Sequence, residues 1–78
     1  MKTLYDVQQL LAKYNIYVHL GKRIWDIELM ALELDHIHDA GLIDAKTFST
    51  ARIILAHEHH REEKDPLINP TELGETHK

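Results

Sequence analysis

The sequence predicts an all-α protein, a compact three-helix bundle with a disordered C-terminal tail. Three observations favour this fold. Apolar residues recur every three or four positions in three separate segments, and residue types that begin or end helices lie between those segments. The end of the chain is polar and interrupted by Pro66, Pro70 and Gly74. We therefore expect a three-helix domain over residues 1–64 and a flexible tail over residues 65–78.

The first helix is expected from Leu4 to Tyr14. Thr3 followed by Asp6 resembles a capping box, with aspartate in place of glutamate. The buried stripe should be formed by Leu4, Val7, Leu10, Leu11 and Tyr14. Residues 16–20 break this period because they are rich in β-branched and aromatic types, so we expect an extended segment or a short edge strand there.

The second and third helices follow. The second should run from Lys22 to Ala40 and end at Gly41, because glycine readily takes the left-handed conformation past a helix end. Asp44 is the predicted cap of the third helix, which should fray near Glu63. Its predicted buried stripe contains Phe48, Ala51 and Leu55.

Helix two carries apolar residues on two opposite faces. At 100° per residue, one face contains Ile27, Met30, Ala31, Leu34 and Ile37. The other contains Trp25, Leu29 and Leu32. The first face should join the core, whereas the second requires a cover, for which residues 16–20, Leu67-Ile68 of the tail and another chain are the candidates. We expect residues 16–20 to provide it; otherwise Trp25 lies on a contact surface.

Length and composition limit the classes of protein. A chain of 78 residues is one domain, near the lower size limit for a fold held by an apolar core alone. There is no cysteine, which excludes disulfides and thiolate metal sites, and no apolar run approaches the length of a membrane span. We expect a cytoplasmic protein that does not contact membranes. Its net charge of -4 opposes unspecific binding to polyanions, so any anion contact must be local.

The charges are unevenly distributed. Residues 1–25 carry a net charge of +3 and residues 26–78 carry -7, and no acidic residue lies between Val7 and Trp25. Cations alternate with aromatic rings in this part of the chain, a pattern that suits phosphates linked to bases that can stack. The candidate nucleic-acid-binding residues are Lys13, Tyr17, His19, Lys22, Arg23 and Trp25.

Other interpretations of these residues remain open. Lys22 and Arg23 lie at the start of a helix, where the helix dipole already creates a positive potential that two more cations make unfavourable. They can relieve it either by binding a phosphate there or by pairing with Asp26. Tyr14 completes the core stripe of helix one and is expected to be structural. Tyr17 shares one side of its extended segment with His19, so a structural role and a binding role remain equally open for both.

The histidines do not predict a strong metal site. His57-Glu58-His59-His60 continues with Arg61 where a zincin motif requires its second histidine. The i, i+3 spacing of His57 and His60 suits at most a weak clamp on a surface ion. Glu33-x-x-His36 occurs once, whereas di-iron carboxylate bundles need a pair of such motifs. No nucleophile elbow or phosphate-binding glycine loop is present. We expect no metal, no cofactor and no enzymatic activity.

Three ordered blocks resemble the YqgQ-like family of small bacterial proteins. They are Tyr5-Asp6-Val7-Gln8-Gln9-Leu10-Leu11, Gly21-Lys22-Arg23-Ile24-Trp25-Asp26-Ile27-Glu28-Leu29-Met30 and Gly41-Leu42-Ile43, within residues 4–58. The resemblance implies a compact three-helix fold from low-GC Gram-positive bacteria and a role in binding single-stranded nucleic acid. The binding positions that it implies here are Lys13, Tyr17, Lys22 and Arg23.

The predicted function is therefore non-enzymatic binding of single-stranded RNA or DNA at the connection between helices one and two. The alternative is a protein-interaction or homo-oligomerisation module that uses the Trp25, Leu29 and Leu32 face. Salt separates the two, because apolar association persists at high ionic strength and phosphate binding does not.

Overall fold

The computed structural model describes residues 1–64, which form three helices. These are α1 (Leu4–Ala12), α2 (Arg23–Asp39) and α3 (Ala45–Lys64). Within the described residues there is no β-strand, and residues 16–20 are extended without ladder pairing. The all-α, three-helix prediction is confirmed. The predicted tail, residues 65–78, lies outside the described residues.

Side-chain caps begin two of the helices. At the start of α1 the Asp6 N–H donates to Thr3 Oγ1 at 3.3 Å and the Thr3 N–H donates to Asp6 Oδ2 at 3.1 Å, so the predicted capping box is present. At the start of α3 the Thr47 N–H donates to Asp44 Oδ1 at 2.7 Å, as expected for the predicted cap. In contrast, Lys22 precedes α2 without any side-chain cap.

Helices α1 and α2 end with the same left-handed turn. Asn15 has a φ of 63° after α1, and Gly41 has a φ of 78° after α2. In the first turn the Ile16 N–H donates to the Leu11 carbonyl at 3.1 Å, which satisfies one of the carbonyls left free at a helix end. The end of α2 confirms the prediction for Gly41. Helix α1 ends at Ala12, two residues before the predicted Tyr14, because residues 13–15 already form this turn.

The core lies between one stripe from each helix. The most extensive contact is between α2 and α3, and α1 packs across both. Ile16 and Val18 point inward from the extended segment and pack against the core, together with half-buried Phe48 of α3. The buried apolar residues are Leu4, Val7, Leu10, Leu11, Ile27, Met30, Leu34, Ile37, Ala51 and Leu55.

The second apolar face of α2 remains uncovered within the described structure. Trp25 and Leu32 are each 52% exposed, so the expectation that residues 16–20 would cover this face is wrong. The reason is the alternation of the extended segment. Its inward residues, Ile16 and Val18, fill the core beside α1 instead of crossing to the outer side of α2.

The caps predict an acid sensitivity. Hydrogen bonds from the Lys2 and Thr3 amides lower the pKa of Asp6, and hydrogen bonds from the Thr47 side chain and amide lower the pKa of Asp44. A carboxyl whose pKa is lower in the folded state stabilises the fold above its unfolded pKa, near 4, and this stabilisation is lost as pH falls through the folded pKa. We therefore expect the melting temperature to fall from about pH 5 downwards.

Asp44→Asn isolates one of these carboxyls, because asparagine can still cap a helix and does not titrate. We expect the variant to lose less melting temperature than the wild type between about pH 5 and about pH 3, measured by circular dichroism. Identical losses in the two proteins would contradict a role for Asp44 ionisation.

Candidate nucleic-acid interface

Lys22 and Trp25 form the central pair of the candidate interface. The Lys22 Nζ lies 5.1 Å from the centre of the Trp25 ring, a cation–π distance. Both residues are exposed, and they occupy the cap position and the first turn of α2. The pair therefore presents an ammonium group and an aromatic ring side by side at the surface.

The start of α2 adds positive potential to this pair. Its first amides donate no hydrogen bond to a capping side chain, and amides that lack such an acceptor attract anions. Asp26 lies in the first turn and opposes this potential in part. However, its carboxylate accepts a hydrogen bond from the Leu20 N–H at 2.6 Å and is thereby directed toward the extended segment.

Arg23 is engaged by α3. Its Nη2 lies 3.2 Å from Glu58 Oε1 and its Nε lies 3.8 Å from Glu62 Oε2. Glu62 is buried, with a side chain that is only 6% exposed. The alternative that Arg23 pairs with Asp26 is thus wrong, because the start of α2 lies against the end of α3. The two carboxylates offset the charge of Arg23 and hold its guanidinium group against α3.

Tyr17 and His19 lie together on the outer side of the extended segment. Both side chains are exposed, Tyr17 at 76%, and both line a groove with Gln8 and Gln9 of α1. Tyr14 has the expected structural role, since its ring packs on the core and its hydroxyl donates to the Leu42 carbonyl at 3.1 Å.

Lys13 lies apart from these residues. It lines a different groove at the end of α1, together with Tyr14 and two carboxylates, those of Asp6 and Asp44. The structure thus pairs Lys22 with Trp25 and Tyr17 with His19. It places Lys13 and Arg23 in separate surroundings that contain acidic groups.

The histidines of α2 and α3 make contacts with other side chains. His59 Nε2 lies 2.9 Å from Glu28 Oε2 and links the two helices. His38 stacks on Phe48 with ring centres 3.9 Å apart. In residues 1–64 no group of three potential ligands is arranged to hold a metal ion. Likewise, none of the helices in this range has the length and apolarity needed to cross a membrane.

Sequence reasoning missed the residues that neutralise Arg23. Glu58 and Glu62 lie 35 and 39 positions after it, and no motif or period connects positions so far apart. The only available signal was the position of Glu62 on the buried side of helix three, where an unpaired carboxylate would be unfavourable.

Comparisons with known proteins identify relatives for most of the chain. The YqgQ-like family model matches residues 1–61. Over 58 residues the chain is 36% identical to the protein named "Uncharacterized protein YqgQ" of Bacillus subtilis (strain 168). That match covers 74% of this chain and 82% of the relative. The blocks quoted from the sequence lie within the matched range, and the chain belongs to the YqgQ-like family.

Proposed function

We propose that the protein binds single-stranded RNA or DNA, without catalysis, at the start of α2 and the extended segment before it. The contact residues are Tyr17, His19, Lys22 and Trp25. The observation that carries the proposal is the Lys22 ammonium group 5.1 Å from the ring of an exposed tryptophan at an uncapped helix start.

This arrangement supplies both interactions that a single strand needs. A phosphate can accept hydrogen bonds from Lys22 and the first amides of α2, while a base stacks on Trp25. Stacking contributes about 1 to 3 kcal/mol per base and depends little on sequence. Tyr17, at 76% exposure, offers a second ring to a neighbouring base.

Affinity should be modest. Arg23 is paired with α3 and Lys13 lies in another groove, so Lys22 is the principal cation of the contact. With one or two phosphate contacts, the logarithm of the association constant should fall with the logarithm of salt concentration with a slope of about -0.7 to -1.4.

Lys22→Glu should weaken binding of a labelled single-stranded oligonucleotide by at least about tenfold, because it removes the phosphate donor and adds a like charge. Fluorescence anisotropy at about 50 and about 200 mM salt measures both the affinity and the slope. A base that stacks on Trp25 should also quench the fluorescence of this tryptophan.

Lys46→Glu is the matched control for this variant. Lys46 is exposed in the first turn of α3, so its replacement makes the same change of charge at another helix start. It should leave the affinity within about twofold of the wild type. Equal binding by the Lys22→Glu variant and the wild type would refute the proposed site.

A second candidate function is association with a protein through the outer face of α2. The exposure of Trp25 and Leu32, 52% each on one helix, favours it. High salt should preserve such an association and weaken phosphate binding.

A further inference from the structure

The outer face of α2 carries a short row of apolar side chains. Trp25 and Leu32 are half exposed and Leu29 is partly exposed, and we call these three residues the α2 strip. Its ends, Trp25 and Leu32, are seven positions apart, which is about two helical turns or about 10 Å. An apolar strip of this length fits a partner that offers an apolar surface at the same spacing.

We infer that the partner is a second copy of this chain, packed with its α2 antiparallel to the first. In such a pair a two-fold axis passes between the two helices. Each residue then faces the residue of the partner helix that lies equally far from the axis, measured along the helix, on the opposite side of it. An axis at the middle of the strip packs Trp25 against Leu32 of the partner subunit, with the two Leu29 side chains close to the centre.

The charges along the edge of the strip favour the same axis. Lys22 and Glu33 are eleven residues apart, about three turns, and therefore lie on one edge of α2. Their midpoint is one residue, about 1.5 Å, from the midpoint of Trp25 and Leu32. One two-fold axis therefore pairs the apolar residues and also brings each Lys22 within two residues, about 3 Å along the helix, of Glu33 of the partner subunit.

The acidic surroundings argue against a polyanion along the whole strip. Beyond its first turn α2 carries Glu33 and Asp39, which would repel phosphates along the strip, whereas Asp35 is paired with Arg52 at 2.8 Å. Glu28 does not obstruct a second copy, because its carboxylate lies 2.9 Å from His59 Nε2 and is directed toward α3.

The two surfaces share Lys22 and Trp25. A strand bound at the start of α2 and a second copy bound along the strip would therefore exclude each other. Oligonucleotide binding should dissociate the dimer, and dimerisation should weaken the apparent affinity for the oligonucleotide.

Sedimentation equilibrium of the full chain over a range of concentrations tests the inference. We expect the average mass to rise from monomer toward dimer in the wild type, in low and high salt. Leu32→Glu should prevent this rise, because it places a charge in the apolar contact. Ile53→Glu, at an apolar residue of α3 that is 69% exposed, should leave it unchanged.

A charge exchange tests the antiparallel arrangement itself. Lys22→Glu alone and Glu33→Lys alone should each weaken dimerisation by about tenfold, and the two changes together should restore it. Failure of the double variant to associate would overturn the antiparallel pairing. A wild type that stays monomeric at every concentration, or a Leu32→Glu variant that associates as the wild type does, would overturn the dimer.

The same variants separate this inference from nucleic-acid binding. Leu32→Glu and Glu33→Lys leave the Lys22 and Trp25 pair intact, so both should still bind the single-stranded oligonucleotide. Loss of the dimer with retained oligonucleotide binding would support two functions of one surface, since the dimer does not depend on nucleic-acid binding. A monomeric wild type that binds the oligonucleotide would overturn only the dimer.

Discussion

Leu34→Ala is expected to lower the free energy of unfolding by about 3 kcal/mol, because Leu34 is completely buried and its truncation leaves a cavity in the core. Leu32→Ala, two positions earlier on α2, should lower it by less than about 1 kcal/mol, since Leu32 is 52% exposed. Urea unfolding followed by circular dichroism measures both.

The contrast between these variants tests the orientation of α2. Both substitutions remove the same atoms from the same helix, so the difference reports which face is buried. Equal losses at the two positions would mean that Leu32 is covered in solution. Measurement at low protein concentration separates a cover within the chain from a second copy, because a dimer dissociates on dilution.

Arg23→Glu should lower the free energy of unfolding by about 2 to 3 kcal/mol. The change removes the cation that lies against Glu58 and buried Glu62 and puts a third carboxylate beside them. The loss of a fully buried ion-pair partner costs about 3 to 5 kcal/mol, and the 37% exposure of the Arg23 side chain reduces that figure.

Arg61→Glu is the control for Arg23→Glu. Arg61 also lies near Glu58, at 3.4 Å, but its side chain is 65% exposed, so its replacement should lower the free energy by less than about 1 kcal/mol. Equal stability of the two variants in urea would contradict a structural role for Arg23. At temperatures where Arg23→Gln stays folded, we expect its oligonucleotide affinity to remain within about threefold of the wild type.

Local patterns predicted the helices well because each depends on neighbours in the chain. Thr3 with Asp6 and Asp44 with Thr47 form caps over three residues, and Gly41 ends α2 where the apolar period stops. The identity of the buried stripes also followed from periodicity. The last residue of α1 could not be predicted from periodicity, because Asn15 can take either a helical or a left-handed conformation.

The candidate interface was predicted only in part. The structure brings Lys22 to Trp25 because they are three residues apart at a helix start, a distance over which sequence determines geometry. The alternation of residues 16–20 likewise placed Tyr17 and His19 on one side. Lys13 and Arg23 were grouped with them by composition, but composition carries no information about which helix end each charge will face.

The sequence by itself determined the three helices, their caps, their buried stripes and the presence of a second apolar face on α2. Only the tertiary structure decided that residues 1–64 leave this face exposed and that Arg23 pairs with Glu58 and Glu62. The physical reason is range. Helical hydrogen bonds and capping act over three to five residues, whereas burial and ion pairing between helices depend on which surfaces pack together. That packing is a property of the whole chain.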